Sequence, residues 1–287
     1  MTVNLAEKYS EKVSDRFKQA SVTEAVVNQD YDFAGVNKVK IYTFDTAPLN
    51  NYNRAATSNR YGTPNELGDT VQEWTLTQEK SFTYVIDRGN LEDQLNLKQA
   101  GKTLRDEIDL VVTPYIDKYR ITKLEDGSIY NYSLGANITT SNAYDNYLKG
   151  IEALGNSSVP MTDLYCIGSY GFYRKIKQDD SFIKASDAGQ RKIDNGVLGF
   201  IENVPLILAP QSYLSEGTNF ILVHKSAMCS PLKLAEYRIL TGQQGFGGNV
   251  VEGRFYFDAF IDANKQKGIY LNTASTTKPT GFTGTGV

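Results

Sequence analysis

The stretch Gly68 to Leu124, GDTVQEWTLTQEKSFTYVIDRGNLEDQLNLKQAGKTLRDEIDLVVTPYIDKYRITKL, holds the clearest change of hydrophobic period in the chain. Val71, Trp74 and Leu76, then Phe82, Tyr84 and Ile86, read as two strands, with Gln78 and Glu79 as the polar turn of a hairpin between them. After Gly89 the period changes to steps of three and four: Leu91, Leu95, Leu104, Ile108, Val111, Val112, Tyr115 and Tyr119. Lys102, Arg105, Asp106 and Asp109 fill the polar face of the helix this predicts over residues 90–124. Asn90 suits its N-cap, and Glu92 and Asp93 put negative charge in its first turn, where the helix dipole favours it. At 1.5 Å per residue such a helix reaches roughly 50 Å. Pro114 interrupts it, because proline donates no hydrogen bond and its ring opposes a preceding carbonyl.

The surrounding composition is that of a globular chain. Of 287 residues, 40% are hydrophobic and 22% charged, and 30 basic against 33 acidic residues leave a formal net charge of -3. This suffices for one large core or two modest ones, and the acidic balance argues against sequence-specific DNA binding. No run reaches the roughly 20 apolar residues of a membrane span, and MTVNLAEKYSEKVSDRF is charged where a signal peptide would be apolar, so the chain reads as intracellular. Cys166 and Cys229 are too few for a disulfide framework and read as small buried hydrophobes. The 19 tyrosines lean the composition toward surfaces that partners cover.

Working outward, Leu5, Tyr9, Val13 and Phe17 form a narrow stripe on a predicted helix over residues 4–20, with Asn4 and Glu7 in capping-box positions. Val36 to Phe44 predicts a strand. The polar excursion APLNNYNRAATSNRYGTPNELG that follows is too long to be an ordinary connection. Beyond the long helix, helix signals at Ser141 to Leu154 and Ser169 to Lys177 alternate with strand signals. The strands are Leu164 to Ile167, two pieces of Val197 to Pro210 around Glu202 and Asn203, and the apolar run Asn219 to His224. Met228 to Leu232 reads as a loop, and the Gly-rich Gly242 to Asn249 separates this alternating segment from two last strands, Val250 to Phe257 and Gly268 to Leu271. The tail TASTTKPTGFTGTGV lacks the hydrophobicity to pack by itself.

Catalytic signals are weak. His224 is the only histidine, which excludes a two-histidine zinc site, and no elbow-type serine motif accompanies it. Gly101, Lys102 and Thr103 copy the end of a phosphate-binding loop, but Asn96 stands where that loop needs glycine. Asp262 and Asn264 begin like a calcium loop that Lys267 and Thr273 fail to continue. The glycines from Gly242 to Gly248 lack fingerprint spacing, and Asp106, Glu107 and Asp109, like Asp179 beside Asp180, read as solvated faces. Lys98, Lys102 and Arg105, then Lys118, Arg120 and Lys123, form modest basic stripes suited at most to nonspecific contact with nucleic acid. The expectation is therefore no catalytic residue, no cofactor and no metal.

Certain phrases carry a family likeness. KVKIYTF and SFTYVID bracket the polar excursion, GNLEDQ opens the long helix and PYIDKYR lies in its second half, and NGVLGFIENVPLILAP, FYFDAF and GIYLN follow. In this order the chain resembles, over nearly its whole length, the major capsid protein of tailed bacteriophages, an α+β fold also used by encapsulin shells. The resemblance implies an N-terminal arm at 1–35, a peripheral-domain strand at 36–44 and an extended loop at 45–80 overlapping a neighbouring subunit. It implies a peripheral domain at 81–134 with spine helix 90–124, an axial α/β domain at 135–245, returning peripheral strands at 246–272 and a flexible tail at 273–287.

A long polar excursion suits a chain whose copies bury it, and small contacts repeated around closed symmetry add up to a stable shell. Tyr52, Tyr61 and Trp74 in the excursion, with Phe17 in the arm, are the expected inter-subunit contacts; Trp74 packed within its own subunit is the alternative. The implied function is a structural protein of the virion, self-assembling into hexamers, pentamers and an icosahedral shell around the genome in the host bacterial cytoplasm. Its implied partners are its own copies, a separate scaffolding protein, a portal and nonspecifically held DNA, with no membrane. Lys80 and Asn249, a residue pair of the kind some relatives crosslink, stand in no local pattern that marks them for it. The rivals are an encapsulin-like shell, another phage structural or adaptor protein, and an enzyme whose site in 135–245 uses Asp163, Arg174 or His224.

Overall fold

The computed structural model describes residues 21–28, 30–31, 38–64, 66–89, 100–181, 197–242, 245 and 247–279. The expected N-terminal helix over 4–20 with Phe17, the opening turns of the spine helix at 90–99 and the last residues of the tail lie outside the described residues. The chain divides into a smaller unit, Phe33–Thr77, and a larger one made of Met1–Asp32 and Gln78–Val287. The smaller unit carries β1 (Lys38–Phe44) and β2 (Asp69–Thr75). In the larger unit β3 (Gln78–Asp87) precedes α1 (Ala100–Glu107) and α2 (Thr113–Gly127), followed by β4 (Asn131–Ser133), α3 (Ala143–Asn156), β5 (Leu164–Ser169) and α4 (Tyr170–Lys177). Then come β6 (Val197–Ile201), β7 (Val204–Ala209), β8 (Thr218–His224), β9 (Met228–Cys229), β10 (Leu232–Thr241), β11 (Gly248–Phe257), β12 (Phe260–Ile261) and β13 (Ile269–Thr273).

The two strands of the opening stretch exist, but they do not form the expected hairpin. β2 pairs antiparallel with β1, Val39 opposite Trp74, whereas β3 pairs with β11, Tyr84 opposite Val251. Alternation marks a strand without naming its partner, and the turn read at Gln78 and Glu79 is the first pair of residues of β3.

The spine helix runs to Gly127, and its irregularity falls on the turn ahead of Pro114. Ile108–Val112 is a π-helical turn, in which the Thr113 N–H reaches back five residues to the Ile108 carbonyl. Pro114, in the first turn of α2, has no N–H to give, so the wider turn costs the ladder little at that point.

The larger unit is layered around a six-stranded sheet of order β4-β13-β8-β5-β7-β6, in which β5 runs parallel to β7 and β4 to β13. Ile167, Ile207, Ile221, Val223, Ile269 and Leu271 belong to one core cluster, shared with Tyr119, Ile121 and Leu124 of α2. The residues alternating with them, Cys166, Leu206, Leu208, Phe220, Leu222 and Tyr270, belong to a second cluster with Tyr147 of α3 and Phe172 of α4. Both faces are covered, which is why VPLILA and NFILVH are continuous apolar runs rather than alternating ones. Local signals match the chemistry read for them. The Ser169 hydroxyl accepts from the Phe172 N–H at 3.1 Å and caps α4, while Glu202 and Asn203, at φ 50° and 66°, make the tight turn joining β6 to β7.

Sheet membership crosses the boundaries expected from the resemblance. β10, whose residues were expected within the axial segment and begin in the expected loop, pairs along its length with β11 in a second sheet of order β10-β11-β3. The Gly-rich loop thus closes a hairpin rather than separating two domains. β13, whose residues 269–272 were expected among the returning peripheral strands and whose Thr273 was expected to open the flexible tail, lies instead inside the six-stranded sheet against β8. The start of the tail is also held, because Gly135 N–H donates to the Ser275 carbonyl and Ala274 N–H to the Gly217 carbonyl, both at 2.8 Å. Backbone pairing at Ala274 and Ser275 needs no hydrophobic side chains, which is what the compositional reading left out.

Candidate assembly surface

The smaller unit is a two-stranded ribbon continued by the excursion. Antiparallel register puts Val39, Ile41 and Trp74 on one face, and Lys38, Lys40, Tyr42 and Phe44 with Glu73 and Val71 on the other. At the base of that second face the Lys38 ammonium lies 2.6 Å from Glu73, whose carboxyl is held below its ordinary range by this hydrogen bond and the Lys38 charge. Toward the tip the same face turns apolar: Tyr42 is 58%, Phe44 70% and Val71 46% exposed. An isolated two-stranded ribbon is marginal in water, and one with aromatics on its open face gains most from a covering surface.

The excursion folds its own tip. Asp45 N–H donates to the Gly68 carbonyl at 2.9 Å to extend the ribbon, and Asn53 N–H donates to the Arg60 carbonyl at 3.0 Å to close a loop. Asn59, at φ 51°, and Gly62, at φ 98°, turn the chain back, and a Cβ on Gly62 would come within 2.5 Å of the Asn50 amide. Across this closure the Tyr52 and Tyr61 rings meet edge to face, 4.9 Å between centroids. Tyr52 is 49% and Tyr61 82% exposed, and Leu49 and Leu67 are exposed beside them in sequence. The two tyrosines are thus one preorganised pair rather than two separate anchors. Trp74 is 3% exposed in the single chain, so its ring packs within the chain and offers almost no surface to another copy. Tyr42 and Phe44 are surface residues that the sequence reading did not single out, and the alternation of β1, which puts them on the face of Lys38 and Lys40, was the signal available; Val71, read only as a strand residue, joins that face through its pairing with Tyr42.

In the larger unit the sheet β10-β11-β3 exposes a polar face. Arg238 pairs with Glu252 and Arg254 with Glu79 across its strands, all four side chains at least a quarter exposed, so each pair is worth at most about 1 kcal/mol. A shallow hollow of about 360 Å³ lies on these strands between Ser81, Thr83, Glu236, Arg238, Glu252 and Arg254.

Several of the positions weighed for chemistry take structural parts. His224 Nδ1 accepts from the Ser226 N–H at 3.2 Å and caps a short turn, and Asp262 Oδ1 accepts from the Asn264 N–H at 3.0 Å to do the same. Thr103 sits inside α1 with its hydroxyl on the Ala100 carbonyl. Cys166 and Cys229 are free and buried, and burial pushes both thiols up, away from the reactive thiolate. Asp163 and Arg174 are exposed, and no cluster able to hold a metal occurs among the described residues. Two charge readings change. Arg120 is 5% exposed and leaves the expected basic stripe, and Asp179 is 1% exposed, accepting from the N–H groups of Tyr144 and Ser181 rather than facing solvent. Tertiary partners, invisible in the local pattern, reverse both. No helix among the described residues is long and apolar enough to cross a membrane.

No family model matches the sequence, and no curated protein does. Solved structures match throughout. A chain in the mature capsid of bacteriophage PhiM1 superposes with a TM-score of 0.73 at 8% identity, covering 93% of this chain and 91% of that one. A chain in the capsid of the cyanophage P-SCSP1u gives 0.72 at 9%, covering 93% and 92%. One from Mycobacterium phage Che8 gives 0.72 at 14%, covering 94% and 97%. With its sheets, long helix and two-stranded ribbon, the chain has the α+β fold of these phage chains.

Proposed function

We propose that the chain is a structural major capsid protein, which assembles through its own copies into hexamers, pentamers and an icosahedral shell around a phage genome. The observation that carries this reading is the ribbon of the smaller unit, whose face from Tyr42 to Phe44 and preorganised tip at Tyr52 and Tyr61 are exposed in a single chain. The capsid origin of matched structures supports it. In this reading the segment 45–68 is the extended loop that a neighbour covers, α1 and α2 are the spine of the peripheral domain, and the six-stranded sheet with α3 and α4 is the axial body. Residues 1–35 are the N-terminal arm, and Phe17 on it is a further contact. Scaffolding protein, portal and nonspecifically held DNA are its partners, the virion its place and the host cytoplasm its site of assembly. His224, Asp262 and Thr103, read for chemistry in the sequence, are engaged in a cap, a turn and a helix, which supports a structural role over a catalytic one. Since the named matches come from phages, the encapsulin-like shell is the less supported reading.

The test is direct. The chain expressed with its scaffolding protein is expected to form capsomers and closed shells in electron micrographs and light scattering. A strictly monomeric species at high concentration with the scaffold present would overturn the reading.

A further inference from the structure

A buried polar cluster in the larger unit joins α2 to the segment 21–28. Asp117 and Arg120 stand one turn apart on α2, 1% and 5% exposed. The Asp117 carboxylate accepts from Ser21 Oγ at 2.7 Å, from the Val22 N–H at 2.9 Å and from the Thr23 hydroxyl. Arg120 donates to Thr23 Oγ1 at 3.2 Å and Glu24 Oε2 at 3.0 Å, and through Nε to Ser230 Oγ at 2.8 Å. Ser230 in turn donates to the Asp258 carbonyl at 2.9 Å, which fixes the guanidinium. Farther along, Asn28 N–H donates to the Met228 carbonyl and Ser230 N–H to the Asn28 carbonyl, forming a parallel bridge beside Cys229. Val22, Val26 and Val27 enter the core cluster between these two polar ends.

This is the way a protein holds a peptide: one buried charge reads two hydroxyls and a backbone amide, a fork reads the next turn, and a backbone bridge closes the far end. The hydrogen bonds Asp117 accepts come from Ser21, Val22 and Thr23. Withdrawing the segment would exchange these three donors for water, and Asp117 favours the seated segment by the difference. The two faces of the six-stranded sheet, by contrast, are covered mostly by residues outside this segment.

We propose that Asp117 and Arg120 are an arm lock. They seat residues 21–28 on the spine helix, fixing the point from which residues 1–20 depart, and this seating is required for assembly while the body of the subunit folds without it. The assembly half rests on the capsid reading; the seating half does not.

Hydrogen exchange on the unassembled protein reads the seating. In Asp117→Ala the Val22, Val26 and Asn28 amides are expected to exchange at least tenfold faster, with those of Ile221 and Leu222 in β8 unchanged; Asp117→Asn, which keeps one acceptor, falls between. Equal protection of residues 22–28 in wild type and Asp117→Ala would overturn the lock, and so would uniform loss across β8, which would make Asp117 a general stability residue. Coexpressed with scaffolding protein, Asp117→Ala is expected to lose shells. Shells in wild-type yield despite a released segment would overturn the requirement for assembly, whereas absence of shells from wild type would count against the capsid reading and leave the exchange result standing.

Discussion

At the scale of single residues, the larger unit spends its buried polar groups on joining distant segments. Glu125, fully buried on α2, accepts from the Ser215 N–H at 3.1 Å and from Thr218 Oγ1 at 2.8 Å, tying the helix end to the turn before β8. Burial nonetheless raises its pKa above the ordinary 4.5, outweighing those hydrogen bonds. A carboxyl whose folded pKa exceeds its unfolded one binds more protons in the folded state. Its contribution to stability is therefore fully present below pH 4.5 and is lost as pH rises through the folded pKa. Glu125→Gln, which cannot ionise, is expected to gain stability relative to wild type as pH rises across that window; urea midpoints measured in parallel from pH 4 to 8 read it, and a constant difference would contradict it. None of this was legible in the sequence, where Arg120 reads as part of a basic stripe and nothing marks Asp117 or Glu125. Their environment is set by segments about 90 to 100 positions away.

At the scale of elements, local chemistry and covering partners divide the work. Ser169 before an amphipathic turn, and Glu202 with Asn203 between two apolar pieces, were readable because capping and tight-turn geometry depend on a few adjacent residues. Ser169→Ala is expected to cost about 1 kcal/mol through loss of the α4 cap, read as a lowered urea midpoint with unchanged slope, whereas Ser169→Asp should hold most of it. Pro114 was readable as an irregularity, and the structure gives it the form of a π turn at Ile108–Val112. The hairpin was misread at this scale. Leu76 and Thr77 between β2 and β3 carry the chain from one sheet to another, and nothing in the alternation of Phe82, Tyr84 and Ile86 distinguishes β2 from β11 as their partner.

For the whole molecule, the division into units makes a separable prediction. The excursion closes its own tip through Asn53 and Arg60, and its described residues contribute no strand to any of the three sheets of the larger unit. Deleting Asn50 to Asn65 is expected to leave circular dichroism and thermal unfolding of the larger unit close to wild type while abolishing shells. Normal shells from that deletion would remove the ribbon tip from assembly, and loss of the fold would contradict its independence.

The sequence by itself determined the large elements. It marked a period-two segment passing into a long helix, continuous apolar runs that read as strands, and a polar excursion too long for a simple loop. These follow from periodicity and composition, which are local properties. Only the tertiary structure decided that β2 turns to β1 and β3 to β11, that β13 enters the six-stranded sheet, that Trp74 is buried while Tyr42 and Phe44 are not, and that Asp117, Arg120 and Glu125 face inward. Strand partners and buried charges depend on which surfaces the folded chain brings together, and those contacts join residues far apart in sequence.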